Sequence, residues 1–311
     1  MNSEDRLAII LASSDRKKRR LSAARIGAAY APDQFRRSVG GSTVFEQTRR
    51  RVALAFSAEQ TMIVVTRSHT HLYEDLLSDV PPSRLVVQPR NRGTAAATLY
   101  ALLHAEKMVP NPTVAVFPSH HYVGDDAAFM RHVDLAFEGV RVRPDLSILL
   151  GASPGAPGDD YCWIEMGERV YEYLQLFQIR NFWQKPSHAL AMRLWQAGCL
   201  WNSSIVVARL PVLLALMRKL LPQLAASFDE LLPTIGTEKE TGAVEAVYDT
   251  IIDRDFSHEV SAKHPQNLAV LPVSGIEWKD LEKSHPAIVA SLPAGTRARR
   301  QGSAWSRRRR K

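Results

Sequence analysis

The chain has 311 residues, 45% of them hydrophobic, enough for one large α/β domain or two small ones. No run approaches the roughly 18 apolar residues of a membrane-spanning helix, and the apolar stretch Leu7–Ala12 is too short for a signal-peptide core, so neither is expected. The net charge of +8 sits in the tail Arg297–Lys311, which holds eight of the 40 basic residues and no acid; the other 32 balance 32 acidic residues, and a nucleic-acid partner is not expected.

Leu7–Ala12 predicts a first strand, followed by the polar, basic loop Ser13–Arg20. A helix begins at Ser42 or Thr43, either of which suits an N-cap. Strand Met62–Thr66, a helical piece His71–Leu77, strand Arg84–Gln88 and the Ala/Leu-rich helix Thr94–Met108 come next. Strand Thr113–Phe117, helix Ala127–Val140 and strand Leu146–Leu150 complete five alternations of strand and helix with short connections. That order predicts an α/β fold with βαβ crossovers and a mostly parallel sheet, its ligands beyond the carboxyl ends of the strands. The Pro/Gly-rich piece 151–158 reads as a surface loop or lid hinge.

The second half is less regular. Trp163–Met166, Leu174–Ile179, Ser204–Ala208 and Leu268–Val273 read as strands, with helices at Ser187–Ala197 and Pro211–Ser227. The two cysteines, Cys162 and Cys199, form no CxxC pair and read as free thiols of a cytoplasmic protein.

Five segments carry a resemblance. They are Gln88-Pro-Arg-Asn-Arg-Gly-Thr-Ala-Ala-Ala97, Phe117-Pro-Ser-His-His121, Phe182-Trp-Gln-Lys-Pro186, Leu200-Trp-Asn-Ser-Ser204 and Trp278-Lys-Asp280. In this order the chain resembles the sugar-phosphate nucleotidyltransferases, specifically the mannose-1-phosphate guanylyltransferases (GDP-mannose pyrophosphorylases), from about residue 7 to 285. The resemblance implies a Rossmann-like, glycosyltransferase-A-like fold with a mixed, mostly parallel sheet and flanking helices. It implies one nucleotidyltransferase domain over residues 1–285, with 286–311 a basic tail without fixed structure. Too little chain follows Trp278 for the β-helix or cupin-like extensions of some relatives.

The implied reaction transfers GMP from GTP to mannose 1-phosphate, giving GDP-mannose and pyrophosphate. Such a site works by positioning and charge neutralisation. The resemblance assigns nucleotide contacts to Leu11, Ala12, Gln88, Arg92, Gly93, Thr94, Ser119 and His120. Gln88 offers the donor and acceptor that suit a purine edge. Sugar-phosphate contacts fall to Tyr161, Glu165, Gln184, Lys185 and Asn202.

Other positions depart from the family pattern. The glycine-rich phosphate loop is replaced by Ser13-Ser-Asp-Arg-Lys-Lys-Arg-Arg20, so Arg16, Lys17 and Arg20, with Lys185, become the candidate catalytic cations. Asp33 stands where a triphosphate-binding lysine is expected, and Gln184 replaces a glutamate. His120 replaces the aspartate that would share Mg²⁺ with Asp280, and imidazole suits a softer divalent metal. Asp125 is a substitute ligand, and a dead metal site is the other reading. Three functions stay open: guanylyltransfer with a rebuilt phosphate loop, nucleotide-sugar binding or regulation without turnover, and transfer with another NTP or sugar phosphate.

Overall fold

The computed structural model describes residues 5–14, 32–35, 37, 41–171, 173–261 and 266–283. The expectations for Arg16, Lys17, Arg20 and the tail 286–311 fall outside the described residues.

In strand β1 (Arg6–Ala12) the alternation of side chains decides the architecture. Leu7, Ile9 and Leu11 enter one buried cluster while Ala8, Ile10 and Ala12 enter another. A strand buried on both faces needs helices on both sides, so the sheet is the middle of three layers. Around it lie α1 (Val44–Val52), β2 (Thr61–Thr66), α2 (Thr70–Tyr73), β3 (Leu85–Gln88), α3 (Gly93–Met108), β4 (Thr113–Pro118), β5 (His121–Val123), α4 (Asp126–Val142) and β6 (Ser147–Ala152). Then come β7 (Cys162–Tyr171), β8 (Leu176–Gln184), α5 (His188–Gln196), β9 (Leu200–Arg209), α6 (Leu210–Leu220), α7 (Pro222–Asp229), α8 (Glu240–Thr250), β10 (Leu268–Val273) and β11 (Trp278–Asp280). Helices α3, α6, α7 and α8 cover one face, and α1, α4 and α5 the other. Among the described residues no helix is long and apolar enough to cross a membrane.

The main sheet runs β3-β2-β1-β4-β9-β6-β10-β8-β7. The first four strands are parallel, as is the β6–β10 pair; the antiparallel members, β7, β8 and β9, all come from the less regular second half. Strand direction is not written in an apolar period, so the pattern could not announce β9 running against its neighbours. Strand β7 also pairs with β9 through Trp163 and Ile164, which brings the far end of the sheet back to its centre.

Several predicted elements change at their boundaries. Helix Pro211–Ser227 is two helices, because Pro222 supplies no N–H to continue the first and opens the second. The segment His71–Leu77 is one short α-turn followed by a 3₁₀ turn. Strand β9 starts at Leu200, four residues before the predicted Ser204, so Asn202 lies within a strand. Thr43 is the N-cap of α1: its hydroxyl accepts from Glu46 N–H, and the Glu46 carboxylate accepts from Thr43 N–H at 2.7 Å.

A buried ion pair ties α1 to α4. Arg51 Nε donates to Asp126 Oδ1 at 2.6 Å, with side-chain exposures of 4% and 20%. Burial pulls the Arg51 guanidinium down and Asp126 holds it up. Arg51→Ala should lower the unfolding free energy by about 3 kcal/mol, since it leaves a carboxylate mostly buried and unpaired. Urea denaturation would measure this, and a change below about 0.5 kcal/mol would refute it.

Candidate active site

The carboxyl ends of β1, β2, β3 and β4 meet at one rim: Ala12 is level with Val65, Thr66 with Gln88, and Leu11 with Pro118. The chain leaving β1 is clamped there. Ser119 Oγ donates to Leu11 O at 2.7 Å, and the buried Gln34 Nε2 donates to Ser14 O at 3.0 Å and Ala12 O at 3.4 Å. Sequence reading passed over Gln34, although it lies beside Asp33. The backbone of Asp33 lies in a one-turn 3₁₀ helix; its side chain is outside the description.

A two-stranded ribbon assembles the next part. β5 pairs antiparallel with β11, setting His121 opposite Asp280, and Leu281 N donates to His120 O at 3.1 Å. One ligand atom from each of His120, His121 and Asp280 lies within 4.8 Å of the others, and all three residues are buried. The rings of His120 and His121 meet edge-on at 4.6 Å, and His121 meets Trp278 at 4.8 Å. The Nδ1 atoms of both histidines lack a hydrogen-bond partner among the described residues. Burial, reinforced by His120, holds the His121 imidazole well below its ordinary value, so that ring is neutral.

Asp280 is already engaged. Lys283 Nζ donates to Asp280 Oδ2 at 2.9 Å, and His120 Nε2 lies 3.7 Å from Oδ1. Burial pushes the Asp280 carboxyl up, yet Lys283, His120 and His121 outweigh it and hold the group far below the usual range. Magnesium prefers several hard oxygens in a near-octahedral shell. This trio offers one carboxylate, occupied by an ammonium, and two imidazoles. The residues present do not fit Mg²⁺. The substitute ligand suggested by sequence proximity is also corrected: Asp125 caps α4, its Oδ1 accepting from Ala128 N at 2.8 Å, and Asp126 faces Arg51.

Beside the trio stands an aromatic wall. Tyr161 stacks on Trp201 at 4.1 Å and 12°, and Trp278 stands 6.1 Å from Tyr161. Lys283 Nζ lies 5.2 Å from the centre of the Tyr161 ring. The buried indole nitrogens of Trp201 and Trp278 have no acceptor among the described residues. Burial raises the Cys162 thiol, Lys283 and Lys185 pull it down, and Asp255 and Asp280 push it up. Lys185 is exposed and has a φ of 41°, a left-handed conformation that costs a residue with a Cβ about 1–2 kcal/mol. Asn202 is buried, with Oδ1 accepting from Ser204 N at 2.9 Å. Glu165 is turned to its own hairpin, accepting from Asn181 Nδ2 at 2.8 Å with Arg180 at 3.5 Å.

The nucleotide segment is engaged by the chain itself. Gln88 is fully buried, and its Oε1, the acceptor expected to meet a base, accepts from the Tyr248 hydroxyl at 2.8 Å. Arg92 Nε donates to Tyr248 O at 2.9 Å. The close approach that Gly93 permits is by Arg254: a Cβ on Gly93 would lie 2.2 Å from the Arg254 carbonyl oxygen. Thr94 Oγ1 accepts from Phe256 N at 2.8 Å, Ser257 Oγ donates to Ser204 Oγ at 2.7 Å, and Gln184 Nε2 donates to His258 O at 3.3 Å. Residues 254–258 therefore form a strap from the start of α3 to β9 and β8. Periodicity carries no sign of it, because its contacts are irregular backbone.

The sequence model of the nucleotidyl transferase family matches residues 26–250. The chain belongs to that family. Among curated proteins, the xanthan biosynthesis protein XanB of Xanthomonas campestris pv. campestris (strain B100) is 27% identical over 267 residues, covering 85% of this chain and 52% of that protein. A mannose-1-phosphate guanylyltransferase of Escherichia coli is 23% identical over 272 residues, covering 85% and 52%. The chain thus spans about half the length of the curated relatives it matches. Among solved structures, one titled mannose-1-phosphate geranyltransferase from Thermus thermophilus superposes with a TM-score of 0.74 at 25% identity, covering 89% of this chain and 76% of that one. A Helicobacter pylori structure titled mannose-6-phosphate isomerase shares the fold, with a TM-score of 0.67 at 18% identity over 88% of this chain and 99% of that one. The nucleotidyltransferase fold expected from the sequence is the fold present.

Proposed function

We propose that the chain transfers GMP from GTP to mannose 1-phosphate. A phosphate oxygen of mannose 1-phosphate attacks the α-phosphorus of GTP. The new P–O bond forms as the bond to the β-phosphate bridging oxygen breaks, releasing pyrophosphate and GDP-mannose. The name of the Escherichia coli relative, mannose-1-phosphate guanylyltransferase, supports mannose 1-phosphate and a guanine nucleotide as substrates. The observation that carries the reading is the placement of Lys283, 2.9 Å from Asp280 Oδ2 and 5.2 Å from the Tyr161 ring centre, beside the stacked Tyr161 and Trp201. A cation next to an aromatic wall with unmet indole donors suits a sugar phosphate: the rings take the sugar's apolar face and the ammonium its charge.

A second reading has its own support. The trio of two imidazoles and one ammonium-paired carboxylate, which does not fit Mg²⁺, favours binding of a nucleotide sugar without turnover. Purified protein with GTP, mannose 1-phosphate and, in turn, Mg²⁺, Mn²⁺, Co²⁺ or EDTA separates the two by pyrophosphate release. Turnover supports guanylyltransfer; calorimetric binding of GDP-mannose without turnover supports the second reading. Turnover only with other NTPs or sugar phosphates would overturn the substrate assignment.

Lys185 gives a sharper test. Lys185→Gly relieves a left-handed backbone costing about 1–2 kcal/mol and adds about 0.5–1 kcal/mol of unfolded-chain entropy, so stability should rise slightly. Binding of GDP-mannose should weaken by about tenfold or more, the worth of one lost ammonium–phosphate contact. Thermal unfolding and calorimetry on the same sample read both. Unchanged affinity would make Lys185 an ordinary loop residue.

A further inference from the structure

Lys283 lies three residues past Asp280, just beyond the ribbon, and no motif pointed to it. Its ammonium sits on Asp280 Oδ2 at 2.9 Å, 5.2 Å from the Tyr161 ring centre, and its side chain is 27% exposed. It is therefore at the junction of the His120–His121–Asp280 trio and the aromatic wall. We propose that Lys283 is the resident cation of this site: it takes the charge-neutralising place that a divalent metal would fill beside Asp280, and the phosphates of a nucleotide sugar bind against it without a metal.

Three features converge on this. First, the carboxylate grouped with the two histidines already has a close cationic partner, so a divalent ion would have to displace Lys283 as well as desolvate itself. Second, the other members of the trio are imidazoles, weak ligands for a hard cation, and the next carboxylate, the 39% exposed Glu282, already faces His120 Nδ1 at 3.6 Å. Third, Lys283 is placed to do more than balance Asp280. It spans from that carboxylate to the face of Tyr161, which stacks on Trp201. A flexible ammonium with three donors can hold one carboxylate oxygen and still offer a hydrogen to a phosphate oxygen.

The choice of a nucleotide sugar as ligand rests on the function proposed above; the metal question does not, and the experiment has an arm for each. In the first arm, cobalt(II) is titrated into the full chain and followed by its visible absorption. Wild-type protein should develop no ligand-field band, while Lys283→Ala and Lys283→Met, which free Asp280 beside the two imidazoles, should develop one that a further His120→Ala removes. A band in the wild type that His120→Ala abolishes overturns the proposal. In the second arm, GDP-mannose binding is measured by calorimetry in excess EDTA and in excess magnesium chloride. The two dissociation constants should agree within about twofold, Lys283→Met should weaken binding about tenfold or more in EDTA, and Lys283→Arg should stay within about threefold of wild type. Binding that EDTA abolishes, or that Lys283→Met leaves unchanged, overturns the proposal. If GDP-mannose binds under neither condition, the nucleotide-sugar reading falls, and the cobalt arm alone decides whether Lys283 excludes a metal.

Discussion

Gly93→Ala should cost about 4 kcal/mol of stability or prevent folding, the sum of three separate penalties. The backbone at Gly93 has a φ of 85°, where a Cβ costs about 1–2 kcal/mol. That Cβ would lie 2.2 Å from Arg254 O, 2.7 Å from its carbon and 2.9 Å from its nitrogen, all backbone atoms that cannot rotate away. Moving them costs a further 1–3 kcal/mol, roughly the penalty of overpacking. The shift would also strain the hydrogen bonds from Ala95 N to Arg254 O and from Arg254 N to Arg92 O, both 3.1 Å, worth about 1 kcal/mol each. Gly198 is the control. It ends α5 at a φ of 74° with nothing within 4 Å of its missing Cβ, so Gly198→Ala should cost only about 1 kcal/mol. Equilibrium denaturation of the two variants measures the difference; equal losses would mean that the approach of Arg254 is not a constraint.

The second large effect is expected at Asp280. Asp280→Asn should destabilise the protein by about 3 kcal/mol, because it strips a partly buried ammonium of its partner. The asparagine keeps an acceptor for the Glu282 N–H, now at 3.0 Å from Oδ1, so the loss falls on Lys283. Adding Lys283→Met should therefore recover stability: the double variant lacks the pair but leaves no stranded charge. The coupling energy from the four-protein cycle should lie at about 1–3 kcal/mol. Strictly additive losses would mean that the two groups do not stabilise each other. GDP-mannose binding should fall in the two variants that lack Lys283, so stability and binding report different consequences of the same contact.

The sequence was readable where one strand or helix supplies its own evidence. Leu7–Ala12 alternates between two cores, and Thr43 with Glu46 spells out a capping box, so both were legible from adjacent residues. Legibility failed where two distant segments make the structure together. β5 and β11 have three residues each, too few to show a period, yet their pairing sets Asp280 opposite His121. Helix α8 went unpredicted because Gly242 and small residues blur its apolar face; its Tyr248 is the residue that occupies Gln88. Asp125 misled for the opposite reason. It adjoins the histidines in sequence, but the start of α4 uses it as a cap and turns its neighbour Asp126 to Arg51. Family resemblance found Asp280 and stopped there, three residues short of the lysine that determines what Asp280 can hold.

The strap at 254–258 has a mechanical consequence. It is hydrogen-bonded to Arg92, Thr94 and Ala95 at one end and to Gln184 and Ser204 at the other. The start of α3 and strands β8 and β9 are thereby tied together by an irregular segment, so shifting one of them means breaking those hydrogen bonds.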